Sequence, residues 1–264
     1  MQHCHFSILY NEIAFLKQKL PFLYQHFDQL IFFDLNITTN EFSTDGSHEF
    51  IKEFPDPEKK ITLIEIQDLS DITEFSGYSF GAKRQMFAVG SEYVMDDIDF
   101  FWCTDMDEFF NASLIKAVEE NVGDGYALLV PHIVFWKNEK WIGAKDNNTL
   151  IPIPWPRIAK HVPGHIYGHC NLQEQFNVKT INTEFIYHFA FVGNGRMKMK
   201  QNLYNRVGDA IFDFDRVNDD VQSVIKLKGG SEYYDVFVKN KYPLPEYINV
   251  QEMLQDLDAE HPLY

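Results

Sequence analysis

The chain has 264 residues, with 39 acidic against 23 basic side chains, a formal net charge of −16, and 45% hydrophobic and 16% aromatic content. So acidic a surface repels nucleic acid and anionic membrane, and no run of about 18 apolar residues offers an integral membrane segment. The apolar content is enough for one large domain, or one domain with an extension. The three cysteines, Cys4, Cys103 and Cys170, show no CxxC spacing, and no basic-then-apolar leader stands at the amino end. A reduced, cytoplasmic setting is therefore expected.

In chain order, His5 to Tyr10 reads as a first strand followed by Asn11-Glu12. Ile13 to Phe27 carries Phe15, Leu16, Leu20, Leu23 and Phe27 near helical spacing, with Pro21 as a point of kinking. Leu30 to Leu35 is a second buried strand containing Asp34. This strand–helix–strand start implies a parallel pair with a right-handed crossover. Ser43-Thr44-Asp45-Gly46-Ser47 is a turn suited to cap a helix over Glu49 to Phe54, closed by Pro55 and Pro57. Ile61 to Ile66 reads as a third strand and Gly77 to Tyr93 as a helix from which Lys83 and Arg84 project.

Ile98 to Thr104 is almost wholly apolar and aromatic, as a strand buried on both faces reads. It runs into Asp105-Met106-Asp107-Glu108, and Phe109-Phe110 then return the chain to the interior. In open α/β sheets ligands collect at the carboxyl ends of strands. Three carboxylates crowded there repel one another unless a cation lies between them, and Mg²⁺ or Mn²⁺ takes oxygen ligands while bridging to phosphates. A solvated acidic turn is the plainer reading of the same residues. A metal–phosphate site is favoured, because the apolar residues on both sides hold the turn.

Ala112 to Val122 forms a short amphipathic helix. Tyr126 to Trp136 and Trp141 to Ala144 suggest a hairpin around Lys137-Asn138-Glu139-Lys140, and Pro152 to Pro156 excludes a helix there. A polar, His-bearing loop follows to Phe176, then an apolar strand over Thr183 to Val192 with His188 inside it. A basic helix over Arg196 to Val207, acidic helical segments and a last helix near Val250 to Leu257 complete the chain. The expected division is a core over 1–195 and a helical extension over 196–264.

Asn11-Glu12 after the first strand, Asp34 after the second, Ser43-Thr44-Asp45-Gly46-Ser47 and the Asp-x-Asp of Asp105-Met106-Asp107, continuing as Glu108-Phe109, resemble family 2-like glycosyltransferases of the GT-A fold. The likeness covers roughly residues 5–110 well and 150–205 loosely. It implies an α/β fold with a Rossmann-like, mostly parallel central sheet flanked by helices, here with a C-terminal helical extension. It also implies a hexosyltransferase-type enzyme that moves a sugar from a nucleotide-diphospho-sugar (UDP-, GDP- or dTDP-linked) to a glycan or glycoconjugate acceptor. Tyr10, Asn11 and Glu12 would flank the nucleoside, and Asp34 would hydrogen-bond the base or ribose. Asp105 and Asp107 would hold Mn²⁺ or Mg²⁺ against the diphosphate, neutralising the charge of the leaving group. One departure is plain: the family runs straight from the strand-two Asp into Gly-Ser-Thr-Asp, whereas Leu35 to Phe42 intervene here.

His188 resembles the third metal ligand that many such enzymes take from a late strand, and equally fits a hydrogen-bonded core histidine. Lys198, Lys200 and Arg206, like Lys83 and Arg84, suit either phosphate contact or a solvated face. Glu174 and His169 are the candidate general bases of an inverting transfer, and Arg157 and Trp155 would shape the acceptor pocket. Three rivals remain: a haloacid-dehalogenase-like Mg-dependent phosphatase, for which apolar strand then Asp-Met-Asp is the common element, a non-catalytic sugar-binding domain, and a nucleotidyltransferase of related architecture, whose Gly-rich basic loop after strand one is not matched by Tyr10-Asn11-Glu12-Ile13. Glu108 and Phe109 after the second Asp depart from the phosphatase pattern.

Overall fold

The computed structural model describes residues 1–35, 41–65, 80–121, 123, 126–144, 156–167, 176–193, 196, 210–212, 225–227, 232–234, 236–239 and 241–260. The chain forms two compact units: 1–106 with 111–130 and 153–184, and 107–110 with 131–152 and 185–264.

The first unit contains a seven-stranded sheet built from β1 (His3–Leu9), β2 (Gln29–Asp34), β3 (Ile61–Ile64), β4 (Phe100–Trp102), β6 (Tyr126–Leu129), β8 (Ile158–Lys160) and β9 (Asn177–Thr180), in the order β3-β2-β1-β4-β8-β6-β9. β1, β2, β3 and β4 run parallel, as do β6 and β9; β8 is antiparallel to both its neighbours. The fold is α/β with a mostly parallel central sheet, as expected. β2 is buried at all six positions, the signature of a strand covered on both faces.

Alternation along β1 decides which helix covers which face. Cys4 and Phe6 join Met86 and Phe87 of α3 (Phe80–Ser91) in one apolar cluster, with Phe6 against Phe87 at 4.5 Å between ring centroids. His3 and His5 point the other way, onto Phe27 at the end of α1 (Ile13–His26). Gly90 of α3 lies so close to the Phe6 ring that an added Cβ would overlap it. Glycine is therefore what allows the helix to lie this near the strand. On the His3 face, α4 (Ala112–Asn121) sends Glu119 to His3 Nε2 at 3.1 Å. α1 runs through Pro21 over 14 residues.

Ser43–Ser47 serves the helix that follows it, as expected: Asp45 Oδ1 accepts from the Ser47 amide at 2.9 Å. The N-cap position of α2 (Ser47–Glu53) is Gly46, in the left-handed region (φ +95°), with no side chain of its own to cap it. The segment also turns back and caps α1. Ser43 Oγ accepts from the Asn11 amide (2.9 Å), Ser47 Oγ from Glu12 (3.0 Å) and Asp45 Oδ2 from Ile13 (2.9 Å). The orphan amides of a helix start take any acceptor the tertiary fold offers, and here three come from one loop.

The second unit holds the sheet β14-β7-β10-β5, formed by β5 (Glu108–Phe109), β7 (His132–Ala144), β10 (Ile186–Val192) and β14 (Val236–Lys239). β7 is one strand of 13 residues where a hairpin was expected. Lys137 to Lys140 contains no glycine or proline to reverse the chain. β7 instead changes partner along its length, pairing with β10 at one end and with β14 at the other. A second correction concerns the tail. The described residues beyond 196 include β14 and the small sheet β11 (Ala210–Phe212), β12 (Ile225–Leu227) and β13 (Glu232–Tyr234), as well as α5 (Val250–Glu260). Tyr, Phe, Val and Ile dominate these strands, and such residues favour a pleated surface over the expected helices.

Candidate functional site

Four parallel strands place their carboxyl ends along one edge of the first sheet. From β1 the chain steps outward to β2 and β3, then returns to lay β4 on the other side of β1. The ends of β1 and β4 are thus the topological switch point, where an open α/β sheet leaves a crevice for a ligand. Tyr10 and Asn11 follow β1 there, and Thr104 and Asp105 follow β4. Asn11 takes a left-handed backbone (φ 53°), which asparagine tolerates better than most residues, and its Oδ1 accepts from the Thr44 amide at 2.8 Å.

Asp34, at the end of β2, is completely buried. Its carboxylate accepts from Ser43 Oγ (2.6 Å), from the Ser43 amide (3.1 and 3.3 Å) and from His48 Nδ1 (2.9 Å). His48 Nε2 in turn lies 3.1 Å from Glu65. Burial raises the Asp34 pKa, and the Ser43 and His48 hydrogen bonds oppose that rise. In this arrangement Asp34 holds the Ser43–Ser47 segment in place.

Under the end of β4 lies a polar network that no sequence motif announces. Lys19 of α1 is 0% exposed and donates to Thr104 Oγ1 (3.0 Å) and to the Asp105 carbonyl (2.6 Å). His5 Nε2 sits 2.7 Å from the same Thr104 hydroxyl. Burial, then the Lys19 charge, hold the His5 pKa well below its ordinary value. The one available signal was that Lys19 stands four residues from both Phe15 and Leu23, inside the apolar stripe of α1.

Arg157, expected to shape an acceptor pocket, is placed by strand register. Trp102 pairs with Ile158, so Arg157 falls opposite Cys103, and its carbonyl accepts from the Cys103 amide at 2.8 Å. From there its NH2 reaches Asp105 Oδ2 at 3.1 Å, with side chains 7% and 25% exposed.

The second unit holds the other two acids of the turn. Asp107 Oδ2 accepts from Arg196 NH2 at 2.7 Å, and both side chains are almost fully buried. His188 Nε2 stands 3.4 Å from Asp107 Oδ1. The register His188↔Glu108 between β10 and β5 brings the histidine there, and the Phe189 amide donates to the Asp107 carbonyl at 2.8 Å. Glu108 is fully buried, 3.6 Å from His132 Nε2. Phe109 and Phe110 are fully buried as expected, and Tyr247 donates to the Phe110 carbonyl at 2.9 Å.

The oxygen and imidazole donors of Asp107 and His188 suit Mn²⁺ well and Mg²⁺ less so. A separation of 3.4 Å is long for a hydrogen bond and close to the ~3 Å between neighbouring donors of an octahedral ion. The other oxygen of Asp107 is held by Arg196, so this pair offers one carboxylate oxygen and one imidazole nitrogen. Among the described residues no group of three His, Cys, Asp or Glu is gathered to hold a metal ion. Glu174, His169, Trp155, Lys198, Lys200 and Arg206 lie outside the described residues, as do the side chains of Lys83 and Arg84.

No protein-family model matches the chain, and no curated protein does. Among solved structures it is similar to TarS 1-349 of S. aureus (TM-score 0.45, 10% identity, 77% of this chain and 64% of that one). It is also similar to a mannose-1-phosphate geranyltransferase from Thermus thermophilus (TM-score 0.32, 8% identity, 78% and 61%). The chain spans less than two thirds of the length of either. Likeness at this distance says nothing of substrate or activity.

Proposed function

We propose that the protein is a metal-dependent glycosyltransferase that moves a sugar from a nucleotide-diphospho-sugar to a glycan or other hydroxyl acceptor with inversion. The observation that carries this reading is the position of the matched residues. Asn11, Asp34, the Ser43–Ser47 segment and Asp105 gather at the carboxyl ends of β1, β2 and β4, where such a fold takes a nucleotide.

In this reading Tyr10, Asn11 and Glu12 flank the nucleoside, with Arg84 near the phosphates. Asp34 acts through the Ser43–Ser47 loop it holds, and not through free carboxylate oxygens. Asp105 and Asp107 are the carboxylate ligands of Mn²⁺ or Mg²⁺, with His188 beside Asp107 as the nitrogen ligand. When bound, the ion supplies a Lewis acid that offsets the negative charge growing on the departing nucleoside diphosphate. Glu174 or His169 takes the acceptor proton.

The test is a thermal-shift panel of nucleoside diphosphates and sugar nucleotides, each with and without Mn²⁺. A metal-dependent rise in Tm with one of them supports the transferase and names its base, since ligand binding to the native state stabilises by mass action. A shift with phosphate mimics and Mg²⁺ alone would turn the reading to the phosphatase. The variant to pair with the panel is Asp105→Asn. Asp107→Ala would strand the buried Arg196 charge and cost about 3–5 kcal/mol of stability, confusing loss of binding with unfolding.

A further inference from the structure

Phosphates in doubly wound folds ordinarily settle on the start of the first helix, whose free amides point at the ligand. That place is taken here. The amides of Asn11, Glu12 and Ile13 are bound by Ser43, Ser47 and the carboxylate of Asp45. In a chain of net charge −16, an anion must then find its positive charge in side chains or in a bound cation.

Two cationic side chains attach to one acidic residue at the neighbouring strand end. Lys19 bonds the Asp105 carbonyl from beneath and Arg157 bonds its carboxylate, while His5 in the same network is neutral. A lysine with no exposed surface is rare unless it is paired, and Lys19 is held at this strand end by Thr104 and the Asp105 carbonyl. We propose that Lys19 and Arg157 form a built-in cationic pair for the diphosphate of the donor. Arg157 is the group that meets the phosphates. Lys19 is a positioning residue, fixing the Thr104–Asp105 backbone and lending its charge from behind. The pair supplies, within the chain itself, part of the neutralisation otherwise left to a divalent ion. This rests on the transferase reading and adds that anion binding persists without metal.

The probe is inorganic pyrophosphate, titrated calorimetrically into the full chain in EDTA at several salt concentrations. The wild type is expected to bind, more weakly as salt rises. Arg157→Gln and Lys19→Met should each lower the affinity about tenfold or more, the worth of one charge-assisted bond. They should also flatten the salt dependence, because a lost charge removes a screened attraction whereas a packing defect leaves the slope unchanged. If Lys19→Met fails to fold, Arg157→Gln carries the test, since it removes the charge that meets Asp105 while keeping a polar side chain. Folded variants with unchanged pyrophosphate affinity and slope would overturn the proposal. So would a wild type that binds no pyrophosphate in EDTA yet gains Tm from a nucleoside diphosphate with Mn²⁺; the transferase reading would then stand without it. Binding in neither condition would remove both.

Discussion

Single residues beneath the acidic turn set its behaviour with pH. His5 is buried and hydrogen-bonded to Thr104, and burial holds its pKa well below the ordinary 6.5. His3 and His161 are shifted the same way, chiefly by burial. A histidine whose folded pKa is depressed contributes stability that is full above the unfolded value and lost as pH falls through the interval below it. Tm should therefore decline between about pH 6.5 and pH 5. The decline should be shallower in His5→Gln, whose amide can still meet Thr104 without titrating. Equal slopes in the two proteins would show that His5 is not a contributor.

Among the elements, α3 depends on one missing side chain. Gly90 lets the helix press onto Phe6, and Gly90→Ala would force the ring or the helix aside at a cost of about 1–3 kcal/mol. Chemical denaturation of the variant measures this directly. A loss below about 0.5 kcal/mol would mean the Phe6 ring moves freely, contrary to its full burial against Phe87 and Phe101. The Ser43–Ser47 segment teaches a related lesson. Its composition announced a cap for the helix that follows, which Asp45 supplies, and the same segment also caps the helix some thirty residues earlier in the chain. Local sequence identifies acceptors; which amides they satisfy is settled when distant segments meet.

For the whole molecule, the excess of 16 negative charges is a standing self-repulsion. Adding NaCl from about 10 to 200 mM should raise Tm by screening it, since the Debye length falls from ~30 Å towards ~8 Å. A fall in Tm would mean that screened ion pairs, such as Lys52–Glu65 and Lys160–Asp99, outweigh the repulsion.

By itself the sequence determined the buried strands β1, β2 and β4, because runs such as Leu-Ile-Phe-Phe admit little but a two-sided burial, and hence the α/β class. It also marked Asn11, Asp34 and Asp105 as strand-end polar groups, since a carboxylate or amide ending an apolar run is visible without coordinates. Tertiary structure alone decided what those groups touch. Lys19 comes under Asp105 by the packing of α1 on the sheet, Arg157 beside it by the antiparallel register of β8 on β4, and Arg196 onto Asp107 across 89 residues of chain. Each is a long-range pairing, fixed by burial and register and not by neighbours in sequence. For the same reason the single long β7 and the strands beyond 196 escaped a reading by local pattern. Strand partners are chosen from the whole chain, and local propensity yields to them.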